Sequence, residues 1–102
     1  MHELVLHKME KIGELCRKYK VRRLFLFGSA LGDEFDPATS DVDFLVDFEP
    51  QERKGFDDVY FLLLADLEKL LGRRVDLVEA GTLRNPYFIA SINRTKQMLY
   101  AA

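Results

Sequence analysis

A chain of 102 residues, 48% apolar and 31% charged, has the size and composition of one compact domain spanning 1–102. With 15 Lys+Arg against 17 Asp+Glu it lacks the broad basic surface on which sequence-blind binding to nucleic acid depends, and its one cysteine, Cys16, can build neither a disulfide framework nor a zinc site. The longest uninterrupted apolar stretch, ending at Ala65, falls far short of the about 20 residues a membrane span requires, and the mixed-charge amino terminus lacks a secretory signal; the expected location is the cytoplasm.

The first predicted element is an amphipathic helix from Leu4 to Tyr19, with apolar residues at Leu4, Val5, Met9, Ile12, Leu15, Cys16 and Tyr19 stepping by three and four. Cys16 belongs to that stripe and reads as a core residue. Val21–Phe27 is a short apolar run stopped by Gly28-Ser29, the pattern of a buried strand entering a tight turn. Residues 30–40 read as a loop with a helical turn after Ser29. From Asp41 to Phe48 the chain alternates, with Val42, Phe44, Val46 and Phe48 on one face and Asp41, Asp43, Leu45 and Asp47 on the other. That strand has an acidic side. A turn over residues 50–55 leads to a helical stripe of Val59, Leu62, Leu63, Leu67, Leu70 and Leu71, ended by Gly72. Residues 74–79 form a third strand. Asn85 then caps a last helix with Pro86 at its first position, whose apolar face is predicted to continue through Phe88, Ile89, Ile92, Met98 and Leu99. Helices alternating with strands point to an α/β layer structure.

Charge is unevenly spread. Residues 33–68 hold twelve acidic and two basic side chains, while both flanking thirds are basic. Acidic excess usually marks a solvated face, so spacing has to decide whether any carboxylates converge. Asp41 and Asp43, at i and i+2 on a strand, leave the same face about 7 Å apart and repel unless a cation lies between them. Asp76 is a third strand-borne acid inside Val75-Asp76-Leu77-Val78. Gly28 lets the backbone turn sharply and approach a ligand, and Ser29 with nearby N–H groups can point at phosphate oxygens. A Gly-Ser turn, a same-face Asp pair and a later third Asp are together what two-metal phosphoryl transfer uses, two carboxylates bridging both ions and the third holding the ion that activates the attacking hydroxyl. Asp47 shares the acidic face but lies further along; it is expected to reach solvent or pair with an arginine. His2 and His7 are five apart, about 140° around a helix, and cannot share a metal.

On Gly28-Ser29, Ser40-Asp41-Val42-Asp43-Phe44-Leu45-Val46 and Val75-Asp76-Leu77-Val78, the chain resembles the polymerase-β-like nucleotidyltransferase superfamily from Leu24 onward. Leu83-Arg84-Asn85-Pro86-Tyr87 looks like its minimal nucleotidyltransferase branch. The resemblance implies an α+β fold with a mixed sheet flanked by helices. It also implies Mg²⁺ or Mn²⁺ held by Asp41, Asp43 and Asp76, and a nucleoside triphosphate bound at Gly28, Ser29 and Ser40. The implied reaction moves a nucleoside monophosphate, AMP from ATP, to a hydroxyl. The implied partner is a small helical HEPN-domain toxin that this chain modifies as an antitoxin, in a homo- or hetero-oligomer. The alternatives are an antitoxin acting by complex formation, and a transferase acting on a small molecule or an RNA end. The chain departs from many relatives at Gly28-Ser29-Ala30-Leu31-Gly32-Asp33, where an arginine is missing; Arg22, Arg23, Arg73, Arg74 and Arg84 are the candidates to replace it.

Overall fold

The computed structural model describes residues 3–28, 41–50 and 56–102. In chain order these form α1 (Glu3–Leu6), α2 (Met9–Lys18), β1 (Val21–Phe27), β2 (Val42–Phe48), α3 (Phe56–Leu71), β3 (Val75–Glu79), a 3-10 turn (Ala80–Thr82), α4 (Pro86–Thr95) and β4 (Gln97–Ala101). The strands make one sheet in the order β3-β2-β1-β4. β1 is antiparallel to both β2 and β4, whereas β2 and β3 run parallel, as a strand-helix-strand crossover through α3 demands. The expected mixed sheet flanked by helices is therefore the observed architecture.

Alternation along the strands gives the sheet two unlike faces. One buries Leu24, Leu26, Val42, Phe44, Val46, Val75 and Leu77 against Val5 of α1, Ile12 and Cys16 of α2, and Leu63, Leu67 and Leu71 of α3. Burial pushes the Cys16 thiol up to about 12, so it behaves as the small core side chain its position in the stripe predicts. The opposite face carries a smaller cluster of Phe25, Phe27, Leu45 and Ile92, covered, among the described residues, by α4 and the 3-10 turn. Asn85 caps α4 through its side chain, accepting from the N–H groups of Tyr87 and Phe88 at 2.9 and 3.3 Å, with Pro86 in the first turn. Gly72, at φ +68°, follows the last residue of α3 in the left-handed conformation that ends many helices.

Three expectations are corrected. The amino-terminal helix is broken at His7-Lys8, where Lys8 leaves helical geometry (φ −112°, ψ 8°) while its carbonyl still accepts from Ile12, so two segments replace one. The last helix stops at Thr95 because Lys96 is extended (φ −58°, ψ 144°), and Gln97–Ala101 pairs with β1 as β4. Met98 and Leu99 are strand residues, and a short apolar run of this kind fits either period. The third strand begins at Val75, one residue later than expected. The predicted loop at residues 30–40 and most of the turn at 50–55 lie outside the described residues.

In α3 the buried stripe is Leu63, Leu67 and Leu71, while Leu62, expected in that stripe, is 52% exposed. Leu67→Ala should cost about 2–5 kcal/mol by urea unfolding, whereas Leu62→Ser should stay within about 0.5 kcal/mol of wild type.

Candidate active site

Register and parity bring two carboxylates to one end of the sheet. Asp43 on β2 lies opposite Phe27, the last residue of β1, and abreast of Asp76 on β3. Neighbouring strands are about 4.8 Å apart, so the two aspartates are adjacent on one face. Asp41 lies just before β2 with the same parity as Asp43, and both Asp41 and Asp76 are exposed while Asp43 is half-buried. The Asp43 carboxyl is pushed up to about 6, first by burial and then by the charges of Asp76 and Asp41. Burial and the Asp76 charge likewise hold the Tyr60 phenol above its usual range, keeping it a hydrogen-bond donor.

Gly28 follows directly after β1 with φ +77°. A Cβ there would lie 2.3 Å from Asp43 Oδ2 and 3.2 Å from its Cγ. The backbone can pass the carboxylate at this distance only as glycine, by conformation and by space alike. Ser29 and Ser40, the other residues expected at a nucleotide, lie outside the described residues.

The donor set suits a hard divalent cation. Carboxylate oxygens are the ligands Mg²⁺ and Mn²⁺ take, and mutual repulsion at Asp43 is what a positive charge would relieve. Among the described residues, however, no group of three or more His, Cys, Asp or Glu is gathered closely enough to hold a metal by itself. That fits the coordination of Mg²⁺, which is bound through one or two carboxylates with substrate phosphates and water completing the shell.

The remaining charges are placed plainly. Asp47 pairs with Arg23 at 3.5 Å and Arg22 at 4.0 Å, the arginine pairing expected for it. Arg84 Nη1 donates to the carbonyls of Gly81 and Leu83 at 2.9 and 3.0 Å, steadying the turn before α4. Further along the same sheet face, toward Arg23 and Asp47, lies a groove of about 280 Å³ lined by Phe25, Leu45, Leu83, Ile89 and Lys96 among others, with the Lys96 ammonium 4.2 Å from the Phe25 ring centre. A second opening of about 400 Å³ lies among residues of α2 and α3, including Leu15, Asp66 and Leu70, on the helical side of the sheet and away from the carboxylates. Two residues that sequence reasoning missed also bear on the site. Tyr60 and Glu68 of α3 hydrogen-bond to the β3 backbone on either side of Asp76, and side-chain contacts of this kind leave no periodic signal.

A sheet end carrying a glycine turn against two abreast aspartates defines the class to which the comparisons assign the chain. The family model described as nucleotidyltransferase domain matches residues 8–99, and the chain belongs to that family. Two Methanocaldococcus jannaschii proteins, both named as candidate protein adenylyltransferases, are 40% and 42% identical to it over 89 residues, covering 86% of this chain and 84% of theirs. A solved structure described as a candidate minimal nucleotidyltransferase superposes with a TM-score of 0.75 at 30% identity, covering 95% of each chain. The fold is shared with a chain from a Shewanella oneidensis complex of a tri-AMPylated HEPN toxin with its MNT antitoxin, at TM-score 0.67 and 20% identity, over 95% of this chain and 72% of that one. The chain is thus a nucleotidyltransferase of the minimal type.

Two outcomes check the site. The Asp43 carboxyl binds its proton more tightly folded, at about 6, than unfolded, at 3.8. Stability therefore falls as pH rises from about 4 to about 6, and ionised Asp43 is a burden at neutral pH. In EDTA at pH 7.5, Asp43→Asn should melt higher than wild type by about 4–8 °C, corresponding to about 1 kcal/mol after allowance for solvent screening, and the gain should vanish below pH 4. Gly28→Ala, forced into a left-handed conformation against Asp43, should instead melt lower by calorimetry, by about 1–3 kcal/mol.

Proposed function

We propose that this chain transfers AMP from ATP to a hydroxyl group of a partner protein, and that the partner is a HEPN-domain toxin which the modification silences. The observation that carries the reading is the abreast pair Asp43 and Asp76 with Gly28 against the former, the arrangement a triphosphate and a divalent cation can share. Support for a protein acceptor comes from the M. jannaschii relatives, at 40% and 42% identity. Support for a HEPN partner comes from the likeness in fold to chains of toxin-antitoxin complexes.

The reaction balances as a substitution at phosphorus. The acceptor hydroxyl oxygen bonds to the α-phosphorus, the bond from that phosphorus to the bridging oxygen breaks, and pyrophosphate leaves with the electron pair. The hydroxyl proton passes to solvent or to a site carboxylate. Asp43 and Asp76 would hold Mg²⁺ or Mn²⁺ together with triphosphate oxygens, with Asp41 drawn in as the third carboxylate; the ion when bound would neutralise triphosphate charge and favour the alkoxide form of the acceptor. Gly28 keeps side-chain bulk away from Asp43, leaving the carboxylate face open to phosphate oxygens. The backbone N–H groups of the Gly28-Ser29 turn, with Ser40, are assigned to the triphosphate.

With α-labelled ATP, Mg²⁺ and a HEPN protein encoded beside this chain, the wild type should label the HEPN protein, and Asp43→Asn should lower labelling at least about 100-fold. Absence of label with the wild type, or equal labelling by Asp43→Asn, overturns the reading.

A further inference from the structure

Asp76 sits on the least supported strand of the site. β3 has five residues and, among the described residues, lies at the edge of the sheet with β2 as its only neighbouring strand. An edge strand presents one row of N–H and C=O groups that no other strand satisfies. Which groups these are follows from one hydrogen bond. The Arg74 carbonyl accepts from Val42 N–H at 3.2 Å and so points at β2. Across a trans peptide the next N–H points the other way, so Val75 N–H faces outward. By alternation, the backbone groups of Val75 and Leu77 face outward and those of Asp76 face β2.

Two of these outward groups, one on each residue, are taken by α3. Val75 N–H donates to Glu68 Oε2 at 3.1 Å, and the Tyr60 hydroxyl donates to the Leu77 carbonyl. The two side chains act in opposite senses, one accepting and one donating, on the residues immediately before and after Asp76. Both are half-buried, so water competes for these bonds less than on an open edge.

We propose that Tyr60 and Glu68 form a two-point clamp that holds β3 in the register placing Asp76 beside Asp43, making them positioning residues for the cation and triphosphate. The inference rests on the functional reading above for its purpose, and on the two hydrogen bonds for its geometry. Neither side chain touches the reacting atoms in this arrangement. Their effect runs through the backbone of residues 75–77.

The decisive measurement is amide hydrogen exchange by NMR on the full chain as wild type, Tyr60→Phe, Glu68→Leu and Glu68→Gln. The Asp76 amide, facing β2, should exchange at least about tenfold faster in Tyr60→Phe and Glu68→Leu, while the Leu24 amide in the middle strand β1 keeps its protection. Glu68→Gln retains an oxygen acceptor and should keep the wild-type rate. Unchanged exchange at Asp76, or equal acceleration at Asp76 and Leu24, overturns the clamp. Mn²⁺ binding followed by electron paramagnetic resonance then tests its purpose. Affinity should fall about 3–10-fold in Tyr60→Phe and Glu68→Leu, with no further fall when either is added to Asp76→Asn. If the wild type binds no Mn²⁺, the functional reading fails while the exchange result still decides the clamp. If Mn²⁺ binds equally to all four proteins, the positioning role is overturned.

Discussion

Two negative charges held abreast repel, and the molecule is arranged so that they cannot move apart. Asp43 and Asp76 occupy the same register position of two parallel strands, and Asp41 adds a third charge at the start of β2. The restraint comes from the other side of the sheet. Val42, Phe44, Val75 and Leu77, the neighbours of the two aspartates in sequence, point into the large core against α3, and they cannot leave it without exposing apolar surface. Local repulsion of about a kilocalorie per mole is small against that burial. A charge arrangement that would open a flexible loop is thus stable on a strand pair, and the energy stored in it is available to whatever cation binds.

The same alternation gives the two sheet faces unequal cover among the described residues. Among the described residues, three helical segments cover one sheet face, and α4 with the preceding turn covers only part of the other. Phe88 of α4 packs edge-on against Phe27 with ring centres 6.2 Å apart, which ties the start of α4 to the end of β1 without covering Asp76. Chemistry on a triphosphate needs one side accessible to a large anion and the other side dry and rigid. A three-layer arrangement with a complete second helical layer would close the face on which Asp43 and Asp76 lie.

Much of this was legible because it depends on parity and spacing, which are local. The β2 alternation separates Val42, Phe44, Val46 and Phe48 from Asp43 and Asp47, and the structure keeps that division. Asn85-Pro86 marks the start of α4 at the residue where its cap forms. What was not legible depends on partners distant in sequence. Gln97–Ala101 is a strand because β1 offers it an open edge; its own apolar residues fit a helical face equally well. Leu62 has the spacing of a core residue but lies on the outer side of α3, since only part of an apolar helix surface can face a sheet. The contacts of Tyr60 and Glu68 with β3 were invisible for the same reason, as they arise from how α3 lies along the edge strand.

Gly28 shows how narrowly the site is built. Its left-handed backbone is a property of the turn, but the 2.3 Å approach of a virtual Cβ to Asp43 Oδ2 is a property of the pairing between β1 and β2, which sets Phe27 opposite Asp43. Two independent requirements therefore meet at one residue, one conformational and one steric. A turn that only reversed the chain would need the first alone, and Asn or Asp could meet it at modest cost. The second arises only where a carboxylate is pressed against the turn, and here that carboxylate is one whose ionisation burial and the charges of Asp76 and Asp41 oppose. The turn and the acidic strand thus belong to one device, in which the glycine backbone leaves room for the Asp43 carboxylate while the core fixes the carboxylates from behind.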